Sequence, residues 1–514
     1  MTQNGSNRYK NGKISDSKRV NDHYAKYLKS ARYEKPSFIQ VCMMYLAIHL
    51  TVVLALIKEK LSIVKVPVQK HRKDYSELFN LADRFVPTHF YPRFWDVFAR
   101  PTTNLPCDST IVLERKMDFN TKKARVTGNS MRCLNLASFN YLGVSQNEGP
   151  SIDATEKSFY ENGLVTSSTL RELGRTKLHV KLEKLTAQFL GAEAVLSFGM
   201  GFATNTLNMP SIITEGCLVA SDAKNHASMI LGLRNSGATV KVFKHNDMRS
   251  LEKVLKDGIC NGQPNGDGSW NKIFIVTEGI FSMEGTIVNL PEIISLKKKY
   301  KAYLYIDEAH SIGAVGENGR GVTDYFNCDP NDIDIWMGTY SKGFSSFGGF
   351  IAGSRKLINF LRNNSQGAFY SSPVPLAVIP KIMHTLNSFL DGTRDGQRRV
   401  LQLKRNTNYL RSKLGQLGIV VYGHHDSPIV PMIFFCRTKL IVTLRTLLEK
   451  YKIAAVGVAY PAIDIYSSRL RICLSAAHTK AQIDYFLNAI EEISNHIRLD
   501  YSSHVVNKNE EIEY

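Results

Sequence analysis

The stretch KIFIVTEGIFSMEGTIVNLPEIISLKKKYKAYLYIDEAH, residues 272–310, decides the fold. Its two ends, KIFIVTEGIF (272–281) and KAYLYIDEAH (301–310), are short runs rich in Val, Ile, Tyr and Phe that each close on a polar cluster. Apolar runs of that length read as strands buried on both faces, the pattern of a parallel sheet. Between them PEIISLKKKYK (291–301) reads as an amphipathic helix, opened by a proline whose fixed φ suits the first turn and closed by lysines that complement the negative helix end. Strand, helix, strand in this order implies a right-handed crossover and a doubly wound α/β architecture. In such sheets ligands bind beyond the carboxyl ends of the strands, where both polar clusters fall.

Working outward, the chain of 514 residues is long enough for two or three domains, and 43% hydrophobic with 22% charged residues is an ordinary globular composition. Residues 1–35 form a basic, Asn/Ser/Lys-rich leader expected to be poorly ordered. Residues 36–60 hold the apolar run FIQVCMMYLAIHLTVVLALI (38–57), interrupted by Gln40, His49 and Thr51, a length that matches a bilayer core of about 30 Å. A buried amphipathic helix is the alternative. Residues 61–135 are a linker and N-terminal segment, 136–395 a large cofactor-binding domain, 396–500 a smaller α+β domain and 501–514 a polar tail. In the smaller domain PIVPMIFF (428–435) and RLRICLS (469–475) read as strands and LLEKYKI (447–453) as helix.

The net charge of +19 raises the question of nucleic acid, but its distribution answers otherwise. Through Lys73 the chain carries 15 basic residues against 4 acidic ones, a net +11 around the apolar run, which points to anionic lipid headgroups and not to nucleic acid. The eight cysteines include no C-x-x-C pair and no metal-ligand spacing, which argues against a disulfide framework or a zinc site.

Four pieces carry chemistry. GTYSKGFSSFGG (338–349) sets Lys342 among small residues after an apolar run, with room for a flat aldehyde; a lysine amine forms a Schiff base with pyridoxal phosphate (PLP). Thr339 and Ser341 offer hydroxyls to a phosphate. Alone, that segment reads equally as a glycine-rich turn with a solvated lysine. YIDEAHSIG (305–313) places Asp307 at a strand end with His310 three residues on. PLP is an electron sink while its ring nitrogen stays protonated, and a buried carboxylate favours that form. SDAKNHAS (221–228) offers the flat ring of His226, and SFGMGFATN (197–205) is a glycine-rich turn entering a helix, a natural anion site.

These pieces resemble the α-oxoamine synthase family of fold-type I PLP enzymes, and within it the lysine-bearing subunits of serine palmitoyltransferase. The resemblance spans roughly residues 75–500 and includes SFNYLG (138–143), FKHNDM (243–248), EGIFSMEGTIVNLPEI (278–293), MGTYSKGF (337–344) and CLSAAHTK (473–480). It implies a fold-type I PLP-dependent transferase fold: a large doubly wound α/β domain and a smaller C-terminal α+β domain, preceded by an N-terminal membrane helix. It makes Lys342 the cofactor-bearing and proton-transferring lysine, Asp307 the partner of the ring nitrogen, His226 the ring-stacking residue and His310 the partner of the ring oxygen. Gly201, Phe202 and Thr339 would contact the phosphate, Ser282 would lie near the ring, and Arg471, with Arg469 as competitor, would hold the amino-acid carboxylate. No metal is implied.

The implied reaction joins L-serine and a long-chain acyl-CoA, palmitoyl-CoA above all, to 3-ketosphinganine with loss of CO2 and CoA. The implied partners are a lysine-lacking subunit in a heterodimer, small regulatory membrane subunits and membrane lipid. The implied place is the endoplasmic reticulum membrane, with the catalytic domain facing the cytosol. The competing readings are a glycine- or alanine-using relative and a silent scaffold subunit; an amino-acid panel separates the first, and retention of Lys342, Asp307, His226 and His310 speaks against the second. Three positions depart from the family: Leu170 where Arg is usual, with Arg171 one place later; Ser345 where Gly is usual; and Pro461-Ala462-Ile463-Asp464 where the substrate loop usually reads Pro-Ala-Thr-Pro.

Overall fold

In the computed structural model, which describes residues 34–61, 97–118, 123–264, 266, 268–460, 462–464, 466–503 and 510–514, the first strands are β1 (Ser109–Asp118) and β2 (Lys123–Asn135), an antiparallel pair. The basic leader before Glu34 and residues 62–96 of the expected linker lie outside the described residues. Seven strands follow: β3 (Ala194–Phe198), β4 (Cys217–Asp222), β5 (Thr239–Phe243), β6 (Lys272–Glu278), β7 (Tyr303–Asp307), β8 (Ile335–Thr339) and β9 (Gly349–Gly353). They form one sheet in the order β3-β9-β8-β7-β6-β4-β5, parallel throughout except for β9, which runs antiparallel to both neighbours.

The runs at 272–281 and 301–310 are β6 and β7, joined by the helix Leu290–Tyr300 with Pro291 in its first turn and three lysines in its last. Alternate residues along the strands enter different cores. Ala220, Ile275, Leu304, Ile306 and Trp336 belong to one cluster; Val219, Phe274, Val276, Tyr305 and Met337 belong to the other. Because side chains alternate faces along a strand, both faces of the sheet are covered, which is why these strands are continuously apolar.

The C-terminal segment adds β10 (Ile429–Ile433), β11 (Ile453–Ala454), β12 (Val456–Val458) and β13 (Arg469–Cys473). β13 pairs antiparallel with β10 and β12, whereas β11 pairs parallel with β2 and ties this segment to the first hairpin. The helical reading of LLEKYKI needs correction: the helix Arg437–Glu449 ends inside it, and Ile453 already belongs to β11.

A buried histidine locks the same junction. His478 Nδ1 accepts from the Ser475 N–H at 3.1 Å and Nε2–H donates to the Asn135 carbonyl at 3.0 Å, which leaves the neutral ring no other tautomer. Burial pushes its pKa down to about 4. With the unfolded value near 6.5, the unfolded chain binds more protons between these limits, so this stabilisation is complete above about pH 6.5 and is lost as pH falls towards 4. We expect the loss to approach about 3 kcal/mol and to flatten in His478→Gln, measured as urea midpoints across that pH range.

Among the described residues one helix is long and apolar enough to cross a membrane, Phe38–Lys60, with only 6% of its apolar window buried. A core helix is therefore a poor description of it. Its polar interruptions are satisfied locally: His49 Nδ1–H donates to the Tyr45 carbonyl at 2.7 Å and the Thr51 hydroxyl to the Ala47 carbonyl at 2.8 Å, the arrangement a hydrocarbon surrounding requires. Just ahead of the helix, the Glu34 carboxylate accepts from the Ser502 hydroxyl at 2.6 Å and the Ser503 N–H at 2.7 Å, so the approach to the helix is fastened to the C-terminal segment.

Candidate active site

The carboxyl ends of β4, β6, β7 and β8 open onto one cavity of about 320 Å³. Asp307 is the last residue of β7, Glu278 of β6 and Thr339 of β8. His226 caps the helix Ala227–Arg234 that follows β4, and Gly199-Met200-Gly201 turns from β3 into the helix Gly201–Ile212. Lys342, His226, Asp307, His310, Gly201, Phe202 and Thr339, far apart in sequence, all line this cavity. Ser282 and Arg471 do not. Ser282 is buried in the turn after β6, and Arg471 stands on β13.

Asp307 is held as an acceptor on both oxygens. Oδ1 accepts from the Ala309 N–H at 2.9 Å and Oδ2 from Asn205 Nδ2 at 2.8 Å. The amide of Asn205 is oriented in turn, because its Oδ1 accepts from the Tyr305 hydroxyl at 2.7 Å. Two donors aimed at a buried carboxylate favour its ionised form. Lys342 is half-buried in the cavity wall, and the loss of water pushes its pKa down while the Asp307 carboxylate pulls it back up. Burial likewise lowers His226, and lowers His310 well below the usual histidine range, with the Lys342 and Arg471 charges adding to the effect. His310 is thus a neutral ring, hydrogen-bonded through Nδ1 to the Tyr141 hydroxyl at 2.8 Å and edge-on to Phe139. Phe202 meets His226 edge-on, with ring centres 5.9 Å apart.

At the other end of the cavity, the helix beginning at Gly201 has no side chain capping its N-terminus. Its first N–H groups are a ready anion site. A Cβ on Gly201 would stand 3.1 Å from Thr339 Oγ1, and the Thr339 and Ser341 hydroxyls are 2.6 Å apart. A half-buried amine, an oriented carboxylate, a flanking imidazole and an uncapped helix start around one flat space are the donor set that PLP needs, so the residues present fit that cofactor.

Phe139 connects Arg471 to this centre: the guanidinium lies 4.7 Å from its ring centre and Lys342 Nζ 5.8 Å from the same point. Arg471 Nε is buried without a hydrogen-bond partner, and among the described residues no carboxylate lies within ion-pair distance of the side chain. Arg469 is differently engaged, donating to the Met283 carbonyl at 2.6 Å and the Ser467 carbonyl at 3.0 Å and facing Glu284 at 3.7 Å. Arg471, whose Nη1 faces the weakly accepting Met283 sulfur at 4.0 Å and whose Nε has no partner, is the better carboxylate receptor of the two.

The three departures have structural readings. Ser345 takes a φ of +45°, where glycine is favoured, and its hydroxyl donates to Asn140 Oδ1 at 2.6 Å. Leu170 is buried with Phe198, Met209 and Leu361, while Arg171 turns outward to Asn363 and the face of Phe369. Asp464 lies 3.6 Å from Lys224, which also faces Glu284 at 3.7 Å; Pro461 is outside the described residues. Sequence reasoning passed over Glu278, Phe139 and Asn205. Glu278 carried the same signal as Asp307, an acid closing an apolar run.

A family described as aminotransferase class I and II matches residues 132–490. Serine palmitoyltransferase 3 of Homo sapiens is 42% identical over 439 residues, covering 85% of this chain and 79% of that protein. Serine palmitoyltransferase 2 of Saccharomyces cerevisiae is 40% identical, covering 83% and 76%, and serine palmitoyltransferase 3 of Caenorhabditis elegans is 38% identical over 99% of both chains. Among solved structures, an SPT with PLP superposes with a TM-score of 0.69 at 23% identity, covering 79% of this chain and 94% of that one. The serine palmitoyltransferase of Sphingomonas wittichii gives 0.70 at 22%, covering 81% and 99%. At that identity the structures speak to the fold.

Proposed function

The chain belongs to the aminotransferase class I and II family and, within it, to the serine palmitoyltransferases; from this we propose that it is the PLP-dependent subunit that condenses L-serine with a long-chain acyl-CoA to 3-ketosphinganine. The observation that carries the reading is the convergence of Lys342, Asp307, His226 and His310 on one cavity.

Lys342 would bond the cofactor aldehyde, Asp307 would pair with its ring nitrogen, His226 would stack on its ring and His310 would face its ring oxygen. Gly201, Phe202 and Thr339 would hold the phosphate, and Ser282, buried in the turn after β6 and outside the cavity lining, would lie near the ring. Bound PLP would supply a sink for the electron pair left on the serine α-carbon. The chain's own residues do the rest. Arg471 orients the serine carboxylate, and Lys342 removes the proton from the carbon that attacks the thioester. A depressed amine pKa suits that base, since a larger fraction is neutral at working pH.

The helix Phe38–Lys60 supports membrane association, for which we propose the endoplasmic reticulum with the catalytic body on the cytosolic side. We propose as partners a lysine-lacking serine palmitoyltransferase subunit in a heterodimer and small regulatory membrane subunits. The test is co-expression of the full chain with such a subunit, labelled serine, glycine and alanine offered in turn with palmitoyl-CoA, and long-chain base measured. Turnover of glycine or alanine in preference to serine would defeat the serine assignment.

The two arginines should separate in the same assay. Arg471→Ala is expected to raise the serine KM about 10- to 100-fold, the worth of a charged hydrogen-bonded pair. Arg469→Ala, by removing the donor to the Met283 carbonyl, is expected to lower thermal stability more than it raises KM. Equal KM effects would refute the distinction.

A further inference from the structure

Glu278 ends β6 as Asp307 ends β7, and in the parallel register of the two strands they stand opposite one another. Adjacent strands lie about 4.8 Å apart. Both residues are buried, and both line the cavity. Two ionised carboxylates on neighbouring strand ends that line one cavity, out of water, are strongly unfavourable, so such a pair keeps one proton between its members.

The surroundings decide where the proton resides. Asp307 receives the Ala309 N–H and the Asn205 amide, both donors that favour its charge. Among the described residues, no cation lies within ion-pair distance of Glu278. Burial and the Asp307 charge push its carboxyl well above the ordinary range. Lys342, after β8, and the His226 backbone N–H, after β4, pull the other way without prevailing, and Glu284 adds to the upward push.

We propose that Glu278 is an uncharged acid that carries the proton of the Glu278–Asp307 pair, a positioning residue that leaves the site one carboxylate charge, focused on Asp307. A second anion would spread over two carboxylates the negative charge that Asp307 presents to the cavity. The inference deepens the PLP reading and rests on it for the role of Asp307.

Infrared spectra of the full-length, detergent-solubilised holoenzyme test it. The carbonyl stretch of a protonated carboxyl is expected near neutral pH, shifted when glutamate is labelled with carbon-13 at its carboxyl, unmoved by aspartate labelling and lost in Glu278→Gln. In a second readout, the pH midpoint of the bound cofactor's visible band should move little in Glu278→Gln, because one neutral group replaces another. Were Glu278 ionised, that swap would delete an anion and drop the midpoint by about one to three units. A band that follows aspartate labelling, the absence of any such band, or a midpoint drop overturns the proposal. A wild-type chain without visible absorbance overturns the cofactor reading and this inference together; a coloured wild type lacking the band overturns the inference alone.

Discussion

Replacing Lys342 with alanine is expected to leave a folded, colourless chain whose output of long-chain base falls by about 10³- to 10⁴-fold or more. The size follows from losing two roles at once: the covalent hold on the cofactor and the base that moves the α-proton, the second alone worth about 10²- to 10⁴-fold. Folding should be spared. The amine sits in the cavity at a desolvation cost, and among the described residues no hydrogen bond from its Nζ fastens one element to another. The turn around it is held by backbone and neighbours instead, with the Ser345 N–H on the Lys342 carbonyl at 2.9 Å and the Ser345 hydroxyl on Asn140. Visible absorbance, thermal unfolding and labelled-serine turnover are the measurements. Product formed at the wild-type rate by the alanine variant would end the catalytic assignment.

Much of this site was legible because parallel strands bury both faces and put their polar residues at one end. Asp307 and Lys342 announced themselves as interruptions of apolar runs, and Gly201 as a glycine before a helix. Glu278 follows the same logic, its VTEG mirroring YIDE one strand over, but an acid without a cofactor atom to pair with carries no motif that marks it. Other features leave little trace in sequence. The direction of β9 is one, since GFIAG is a short apolar run that reads alike for a parallel or an antiparallel strand. The preference for Arg471 over Arg469 is another. Both sit on the same face of β13, so spacing alone does not separate them; their three-dimensional neighbours do, with Arg469 holding two backbone carbonyls and Arg471 facing the Met283 sulfur and the Phe139 ring. Ser345 is a middle case: the usual glycine hinted at a backbone constraint, which the φ of +45° makes explicit.

The second large effect belongs to Asp307→Asn. Asparagine matches aspartate in shape but offers one acceptor oxygen where Asp307 uses two, so either the Ala309 N–H or the Asn205 amide faces another donor. That orphaned group costs about 1–3 kcal/mol of stability. Loss of the charge beside the ring nitrogen costs about 3–5 kcal/mol in the site, or roughly 10²- to 10⁴-fold in turnover. The proposed state of Glu278 adds a signature that a merely damaged fold would not show. In the variant the like charge opposite Glu278 is gone, so its carboxyl loses the proton more readily and returns an anion one strand away. Residual activity of Asp307→Asn should therefore climb with pH, whereas the double variant Asp307→Asn/Glu278→Gln, having no acid left to ionise, should stay flat. A single variant whose pH profile matches that of the double variant would show that Glu278 does not hold the pair's proton.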